Sequence, residues 1–346
     1  MGSSVADSFT VATFNVNGIR ASRRRGFDQW LRARSADVVA LQELRCPAAD
    51  VGTFPGYSAA VDVGSVAGRN GVAVLTRVPA AAVRTWVTHP PRSRGLGEFA
   101  TQGRYIEVDL ADRPVTVASL YLPKGGLPAH LQRPGSMREL PDGGAKYERK
   151  QRFLAAFARE VHRNRLAALS AGREFVLTGD LNIAHTRHDV TNWRSARTMD
   201  GFLPADCEWF SSVLGTRRLV DVVRQVHGDR PGPLTWWSWA GRSFAKDVGW
   251  RVDHQLATPG LARLATAVVV DKEPSPAERL SDHAPLVVTY SAMPDREVLV
   301  PSAGFEPATY PLGHLGGASV WCGALGGTHK TWATGKRLVI AGSYSI

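Results

Sequence analysis

The stretch Val176-Leu-Thr-Gly-Asp-Leu-Asn-Ile-Ala184 leads from a strand-like apolar run into two polar side chains. Its apolar start is typical of a strand with at least one buried face. Gly179 lets the backbone bend or be approached closely, and Asp180 and Asn182, two residues apart, share a face. A carboxylate beside an amide can orient a water molecule and accept its proton, or bind a hard cation through oxygen. The stretch therefore predicts a strand that ends in a reactive site.

Similar apolar runs recur along the chain, and helical patterns separate some of them. The strand-like runs cover 9–15, 38–42, 71–76, 105–108, 115–121, 175–178, 252–257, 267–270 and 286–290. Helical periodicity covers 27–34, 147–169 and 206–214. Many strands with fewer, unevenly spaced helices favour a layered α/β protein over a regular alternation of strand and helix.

The residue counts exclude several classes of protein. Lys and Arg number 42 and Asp and Glu 31, a net charge of +11, which favours a polyanionic partner: nucleic acid, a phosphorylated substrate or an acidic membrane surface. The three cysteines exclude a disulfide scaffold and a zinc finger, and they fit a reducing compartment. We find no run near the roughly 20 apolar residues of a membrane helix and no secretory signal, so we expect a soluble intracellular protein.

Four other motifs place polar side chains where a strand begins or ends. They are Phe14-Asn-Val-Asn-Gly-Ile-Arg20, Val38-Val-Ala-Leu-Gln-Glu43, Ser119-Leu-Tyr-Leu-Pro-Lys-Gly-Gly126 and Ser281-Asp-His-Ala-Pro285, the last with Arg251-Val-Asp-His254 upstream. A glutamate at the end of a buried strand is costly unless it is paired or binds a metal. Each motif alone also has an ordinary structural explanation, such as an Asn-Gly turn or a core tyrosine.

Taken together, these motifs supply an oxygen-rich set of side chains without cysteine. The set consists of Asn15, Glu43, Tyr121, Asp180, Asn182, Asp253, Asp282 and His283. Such donors favour Mg²⁺ or Mn²⁺ over zinc or copper. The chain has neither a P-loop nor a Gly-x-Ser-x-Gly motif. A hard cation, an aspartate base and a basic surface predict hydrolysis of a phosphate ester.

In this order, the motifs of residues 9–291 resemble the exonuclease III family of apurinic/apyrimidinic DNA endonucleases, part of the endonuclease/exonuclease/phosphatase superfamily. Beyond the motifs quoted above, the resemblance rests on Gly71-Val-Ala-Val-Leu75, Gly103-Arg104, Asp189, Phe202-Leu-Pro204 and Gly249-Trp-Arg-Val-Asp253. It implies a four-layer α/β sandwich, in which two mixed β-sheets pack face to face between helices. It also implies metal-dependent cleavage 5′ to abasic sites in duplex DNA, often with 3′-to-5′ exonuclease and 3′-phosphatase activity.

The resemblance also implies roles for individual residues. It assigns metal binding to Asn15, Glu43, Asp180, Asn182, Asp282 and His283; catalysis to Tyr121, Asp180, Asn182, Asp253 and His283; and substrate binding to Asn17, Arg45, Arg104, Lys124, Asn192, Trp236, Trp250 and Val252. In this scheme Glu43 is the main metal ligand, and Asp180 deprotonates the attacking water. His283, oriented by Asp253, stabilises the developing charge. Tyr121, Asp180 and a metal-bound water all remain candidates for the acid that protonates the leaving oxygen.

The segments that would contact DNA both match and depart from the family. Trp236, Trp250 and Val252 match an apolar wall that admits a sugar without its base. Ala196, Ala240 and Leu127 stand where relatives carry an Asn, a Met that enters the minor groove and an Arg. We therefore expect that the protein inserts fewer side chains into the duplex, and that exonuclease activity is a larger share of its total activity. The arginine-rich stretches 92–94, 133–138 and 194–197 are candidate phosphate contacts.

Beyond Tyr290 the sequence becomes rich in Gly, Pro, Ser and Thr. We expect residues 1–292 to form the catalytic domain and residues 293–346 a disordered tail. Gly304-Phe-Glu-Pro307 is what a conserved arm of a transfer-RNA gene encodes when translated, so one hypothesis is that the tail is a read-through product. The coding DNA would test that hypothesis.

Two alternative functions remain open. One is a phosphoinositide or other phosphodiester hydrolase on the same scaffold, and the other is a DNA-binding paralogue without activity. The segment Gly249-Trp-Arg-Val-Asp253 and the basic charge speak against the first, and the complete set of metal and base residues speaks against the second. We expect a monomer that acts on double-stranded DNA with abasic sites or 3′ ends, away from membranes, in the cytoplasm near the nucleoid.

Overall fold

Strands and helices alternate unevenly along the chain. The computed structural model describes residues 8–66, 68–134 and 141–293, which form twelve strands and eight α-helices. The strands are β1 (Phe9–Asn15), β2 (Val38–Gln42), β3 (Ser58–Asp62), β4 (Val72–Thr76), β5 (Ala82–Thr85), β6 (Tyr105–Asp109), β7 (Val115–Tyr121), β8 (Glu174–Asp180), β9 (Val220–Asp221), β10 (Asp253–Ala257), β11 (Ala265–Val270) and β12 (Leu286–Tyr290). The helices are α1 (Ile19–Arg24), α2 (Phe27–Arg34), α3 (Ala48–Val51), α4 (Ala145–Ser170), α5 (Trp193–Ala196), α6 (Pro204–Val213), α7 (Val222–His227) and α8 (Pro259–Ala262).

The strands pair into two mixed six-stranded sheets. The first sheet has the order β11-β12-β1-β2-β4-β3 and the second has the order β5-β6-β7-β8-β10-β9. In the first sheet β1 and β2 are parallel, and in the second β7 and β8 are parallel, while their outer neighbours are antiparallel. Each sheet therefore has one parallel pair at its centre. The residues of these four strands are almost all buried, as parallel strands covered on both faces require.

Successive residues of the central strands point alternately into two different cores. Val11 of the first sheet and Val176 of the second belong to one inner core between the sheets. Phe14, on the opposite face of β1, packs with Phe27 of α2 in an outer core. On the other side, Phe157 of α4 packs with Leu177 of β8. The order helices, sheet, sheet, helices confirms the predicted four-layer α/β sandwich.

The ends of the two parallel pairs lie at the same edge of the sandwich. Asn15 is the partner of Gln42 in the register of the first sheet, and Tyr121 is the partner of Asp180 in the second. Asp253, the first residue of β10, also pairs with Asp180. The inward-facing side chains at these positions therefore meet between the sheets.

A layer of buried polar side chains lies between the inner apolar core and this edge. Gln42 Nε2 donates a hydrogen bond to Ser119 Oγ in the other sheet at 3.0 Å. Gln255 Nε2 donates to the carbonyl oxygen of Val11 at 2.7 Å, again between the sheets. Because these groups are buried, the alternative to these bonds is an unsatisfied polar group. The layer therefore holds the two sheets in a fixed relative position.

Within the described residues, all nine predicted strand runs coincide with strands, and the three predicted helical patterns coincide with α2, α4 and α6. The strands β3, β5 and β9 and five helices of six residues or fewer were not predicted. Apart from Met293, the tail assigned to 293–346 lies outside the described residues, as does most of the stretch 133–138. None of the helices in the described ranges is long and apolar enough to cross a lipid bilayer.

Candidate active site

A cavity of about 380 Å³ opens at the edge where the two parallel pairs end. Its polar wall contains Glu43, Tyr121, Lys124, Asp180, Asn182, Asp282 and His283, and its apolar wall contains Trp236, Trp250 and Val252. The structure thus brings together most of the site residues predicted from the sequence. A larger cavity of about 570 Å³ lies beside α4, where Arg84 is paired with Glu107 and Asp109, so size alone does not identify the site.

Asn15 connects the carboxylates of the two sheets. Its Nδ2 donates to Glu43 Oε1 at 3.0 Å and to Asp180 Oδ2 at 2.8 Å. Its Oδ1 accepts the main-chain N–H of Asn17 at 3.0 Å. Glu43 reaches this position because it leaves β2 in the left-handed conformation, with a φ of 56°. Both ends of the Asn15 amide are bonded to protein groups, so Asn15 holds Glu43 and Asp180 at a fixed separation.

Asp180 is oriented by the turn that follows its strand. The main-chain N–H of Asn182 donates to Asp180 Oδ1 at 2.8 Å, and Asn182 Nδ2 donates to the Leu122 carbonyl oxygen at 3.0 Å. Gly179 precedes them with a φ of 138°, and a Cβ atom there would overlap the carbonyl oxygen of Leu120. This contact confirms the close backbone approach expected from Gly179. Burial raises the pKa of Asp180. The positive charge of His283 lowers this pKa, and the negative charge of Glu43 raises it.

His283 and Asp253 form a buried pair behind the cavity wall. His283 Nδ1 lies 2.8 Å from Asp253 Oδ2, and its Nε2 lies 3.8 Å from Asp180 Oδ2. Burial disfavours the imidazolium form, but Asp253 and Asp180 outweigh it and raise the pKa of His283. The ring is therefore held as a cation that faces the cavity through Nε2.

The carboxylate of Asp282 is held at both oxygens. Oδ1 accepts from Asn17 Nδ2 at 2.8 Å, and Oδ2 accepts from Trp236 Nε1 at 3.1 Å. Burial alone would raise the pKa of Asp282, but His283 and these hydrogen bonds lower it. Arg45 Nη1 donates to Asn17 Oδ1 at 2.6 Å, and its guanidinium also pairs with Glu43. Asp282 is thus an oriented, ionised group beside Glu43 and Asp180.

The three carboxylates fit a hard divalent cation. Glu43, Asp180 and Asp282 face one cavity, and oxygen ligands of this kind suit Mg²⁺ and Mn²⁺. Glu43 Oε2 is buried, and the guanidinium of Arg45 pairs with this oxygen. Ligand atoms of Asp180, Asp253 and His283 also lie within 4.8 Å of one another. Because Nδ1 of His283 is already bonded to Asp253, we regard that second group as an acid–base pair.

The apolar wall is rigid. The rings of Trp236 and Trp250 meet edge to face, with centroids 6.5 Å apart and an interplanar angle of 90°. The main chains of these two residues are hydrogen-bonded to each other, and Phe202 packs on Trp250 at 6.2 Å. Trp237, in contrast, is buried with Phe244 in a separate small core. The wall therefore presents fixed aromatic faces beside the carboxylates.

Three predicted substrate-binding residues, Asn17, Arg104 and Asn192, are not part of the cavity lining. Arg104 is buried behind Tyr121, with its guanidinium carbon 5.2 Å from the ring centroid and Nη1 donating to the Tyr121 carbonyl oxygen at 3.1 Å. Asn192 lies exposed at the start of α5, where its carbonyl oxygen accepts from Ser195 Oγ at 3.0 Å. The structure does not bring Asn192 to the site, and its substrate-binding role stays a prediction.

Two large apolar side chains at the cavity mouth were not singled out from the sequence. Trp239 is 47% exposed and Met199 is 51% exposed, and both line the cavity. The guanidinium carbons of Arg25 and Arg279 lie 5.0 and 4.1 Å from the Trp239 ring. Both arginines therefore make cation–π contacts with this exposed tryptophan at the cavity mouth. Trp239 precedes Ala240, a position at which the sequence departs from its relatives. That departure was the signal in the sequence that could have pointed to Trp239.

Comparison with known proteins gives consistent matches over this region. The profile of the Endonuclease/Exonuclease/phosphatase family matches residues 12–283. The chain is 26% identical over 262 residues to the DNA repair nuclease APEX1 of Danio rerio, covering 74% of this chain and 75% of that protein. It is 26% identical over 276 residues to an exodeoxyribonuclease of Bacillus subtilis (strain 168), covering 79% and 96%. The solved structure of the 3′ phosphatase NExo from Neisseria bound to product DNA hairpin has a TM-score of 0.65 at 26% identity, covering 82% and 99%.

Proposed function

The chain belongs to the Endonuclease/Exonuclease/phosphatase family, and we propose that it is a divalent-metal-dependent DNA-repair phosphodiesterase. Its main reaction is cleavage of the DNA backbone 5′ to abasic sites, accompanied by 3′-to-5′ exonuclease and 3′-phosphatase activity. The names of the DNA repair nuclease, the exodeoxyribonuclease and the 3′ phosphatase that it resembles support this assignment.

One observation supports the proposal above all others. The buried carboxylates Glu43 and Asp180, bridged by Asn15, share a cavity with the aromatic wall of Trp236 and Trp250. The carboxylates are needed for phosphoryl chemistry, and the aromatic wall is needed to recognise a sugar without a base. A protein that only binds DNA has no use for two buried carboxylates, which repel phosphate.

Asp180 is the base in this mechanism. Its Oδ1 is fixed by the Asn182 N–H and its Oδ2 by Asn15 Nδ2, so the carboxylate can accept the proton of a water molecule held against the phosphate. Mg²⁺ or Mn²⁺ held by Glu43 and Asp282 would supply positive charge to the phosphoryl oxygens.

Tyr121 and His283 act on the charge that develops as water attacks. Burial raises the pKa of Tyr121 well above its usual value, and Glu43 and Asp180 raise it further, so the phenol keeps its proton and donates a hydrogen bond. His283, kept cationic by Asp253, directs Nε2 toward the same space. Both groups are in place before the reaction, which is the arrangement that stabilises a transition state most effectively.

The aromatic wall selects the substrate by shape. Trp236, Trp250 and Val252 leave an apolar slot suited to a deoxyribose without a base. An intact nucleotide would have to place its polar base edges against these rings without hydrogen-bond partners.

The deciding experiment is a nicking assay on a duplex that contains one tetrahydrofuran abasic analogue. We expect cleavage with Mg²⁺ and none in excess EDTA. We expect Asp180→Asn to lower kcat by at least about 10²-fold while leaving DNA affinity nearly unchanged, because it removes the base but keeps the shape. Asp247→Asn, at an exposed aspartate outside the cavity, is the matched control and should retain full activity.

Three results would contradict the proposal. Cleavage that persists in EDTA would exclude the metal, and normal turnover by Asp180→Asn would exclude the assigned base. Hydrolysis of a phosphoinositide in place of abasic DNA would show that the protein is a phosphoinositide hydrolase, the alternative function.

A further inference from the structure

A second cavity, of about 310 Å³, lies between α4 and α6 and is lined by three arginines and a histidine. Arg159, His162 and Arg165 of α4 and Arg218, which follows α6, surround it. Val213 and Leu219 form an apolar part of its lining. We call it the cationic cavity. Among the described residues, no Asp or Glu lines it.

Arg165 is the unusual member of this group. It is only 6% exposed, and within the described ranges it forms no ion pair. Its Nη2 lies 3.4 Å from Nδ1 of His162, and because a guanidinium only donates, that ring nitrogen accepts. Burial and the neighbouring Arg218 both lower the pKa of Arg165, which means that its surroundings disfavour the cation. A buried charge without an opposite charge is costly.

Two other buried cations of this protein have carboxylate partners, whereas Arg104 and Arg279 donate to main-chain carbonyl oxygens. Arg251 lies between Asp189 and Asp221, and Lys150 lies between Asp200 and Asp206. Glu160, on the same helix as Arg165, does not help, because it accepts from the Ser93 N–H at 3.0 Å on another face. The positive charge of the cationic cavity is therefore not neutralised by the surrounding protein.

We propose that the cationic cavity binds the phosphate group of a small phosphorylated molecule. Arg165 and Arg218 offer planar forks that match phosphate oxygens, and His162 adds the N–H of Nε2. The apolar lining from Val213 and Leu219 fits an organic part better than it fits a bare ion. The volume is in the range of known small-molecule sites.

This site is separate from the active site. Helix α4 begins beside the catalytic cavity, where the side chain of Lys150 packs close to Gly125. Arg165 lies fifteen residues further along the same helix, about 22 Å away at the rise of an α-helix. A ligand in the cationic cavity therefore leaves the active-site mouth open to DNA.

The test is calorimetric titration of inorganic pyrophosphate into the full-length protein in EDTA, so that metal-dependent binding at the active site is absent. We expect saturable binding that Arg165→Met and Arg218→Gln each weaken at least tenfold. Arg217→Gln, an exposed arginine outside the cavity, is the matched control and should bind as the unmodified protein does. Equal affinity in all four proteins would overturn the proposal.

A second titration distinguishes the source of the phosphate. With an intact DNA duplex as the probe, we expect Arg165→Met and Arg218→Gln to bind as tightly as the unmodified protein. If both variants lose duplex affinity and show a weaker salt dependence, the cavity holds a backbone phosphate of nucleic acid, and the small-molecule assignment is wrong. Because Arg165→Met removes an uncompensated charge, we expect it to fold with a raised melting temperature. Arg218 is exposed, so Arg218→Gln keeps the test decisive if Arg165→Met does not fold.

Discussion

At the scale of single residues, His283 depends on Asp253 for its positive charge. His283 Nδ1 and Asp253 Oδ2 lie 2.8 Å apart and are buried. If the carboxylate is lost, water does not readily take its place as a hydrogen-bond partner. The catalytic role of His283 therefore depends on Asp253, a residue that does not line the cavity.

This dependence predicts the behaviour of Asp253→Asn. Three carboxylates raise the pKa of His283, and Asp253 makes the largest contribution, so its loss makes the imidazolium form disappear at a lower pH. We expect kcat to fall by at least about 10²-fold at pH 8, with KM for abasic DNA little changed and with a smaller loss at pH 6. A pH–rate profile of nicking measures this. Equal loss at every pH would show that Asp253 acts only by orienting the ring.

Residues at strand ends were the part of the site that could be predicted from the sequence. Asn15, Tyr121 and Asp180 each close an apolar run, and parallel pairing puts such ends at one edge whatever the details of packing. Trp239 was not predicted, because its position depends on the path of an irregular loop. For the same reason the sequence could not show that Asn192 is absent from the cavity lining.

At the scale of elements, the three unpredicted strands lie at sheet edges. β3 ends the first sheet, and β5 and β9 are the two end strands of the second sheet. β3 and β5 are at most half-buried along their length, and β9 has only two residues. A search for buried apolar runs finds central strands, because those are covered on both faces. Edge strands need no such run, since their pairing comes from the neighbour that is already in place.

The loops that flank the aromatic wall are joined by a buried ion network. Arg251 Nε donates to Asp189 Oδ1 at 2.7 Å, and its Nη2 donates to Asp221 Oδ2 at 2.8 Å. Although burial alone would raise the pKa of both aspartates, Arg251 lowers it. The network connects the segment after β8, the start of α7 and the segment before β10. It therefore fixes Trp250 and Val252 from behind.

We predict that Arg251→Met lowers the free energy of unfolding by about 3–5 kcal/mol at pH 7, because two buried carboxylates lose their partner. In the unmodified protein the lowered pKa values stabilise the fold above about pH 4, and this contribution is lost as the pH falls through the native values. The difference between the two proteins should therefore shrink on acidification. Urea denaturation at pH 7 and at pH 4 measures it.

Arg20→Gln provides the control for this comparison. Arg20 pairs with Asp50 at 2.9 Å, but the side chains are 59% and 41% exposed. An exposed pair of this kind is worth at most about 1 kcal/mol. A cost for Arg251→Met no larger than that of Arg20→Gln would mean that the buried network does not stabilise the fold.

At the scale of the whole molecule, the net charge of +11 favours binding to a polyanion and makes the affinity depend on salt. Each phosphate that the protein neutralises releases counterions, so affinity falls with salt. We predict that KM for abasic duplex rises steeply with KCl, with a logarithmic slope of about 3 or more. The value of kcat at saturating DNA should change little. Steady-state nicking between 50 and 200 mM KCl is the measurement, and a flat KM would mean that few phosphates are contacted.

Within the described residues, the first strand lies beside the last strand. β1 pairs with β12, and Ser281 Oγ donates to the carbonyl oxygen of Asn15 at 2.8 Å. Glu43 comes from one sheet and Asp180 from the other, and His283 is supplied only when nearly all of the described chain has been synthesised. A copy that ends before residue 283 therefore lacks the histidine of the proposed catalytic set.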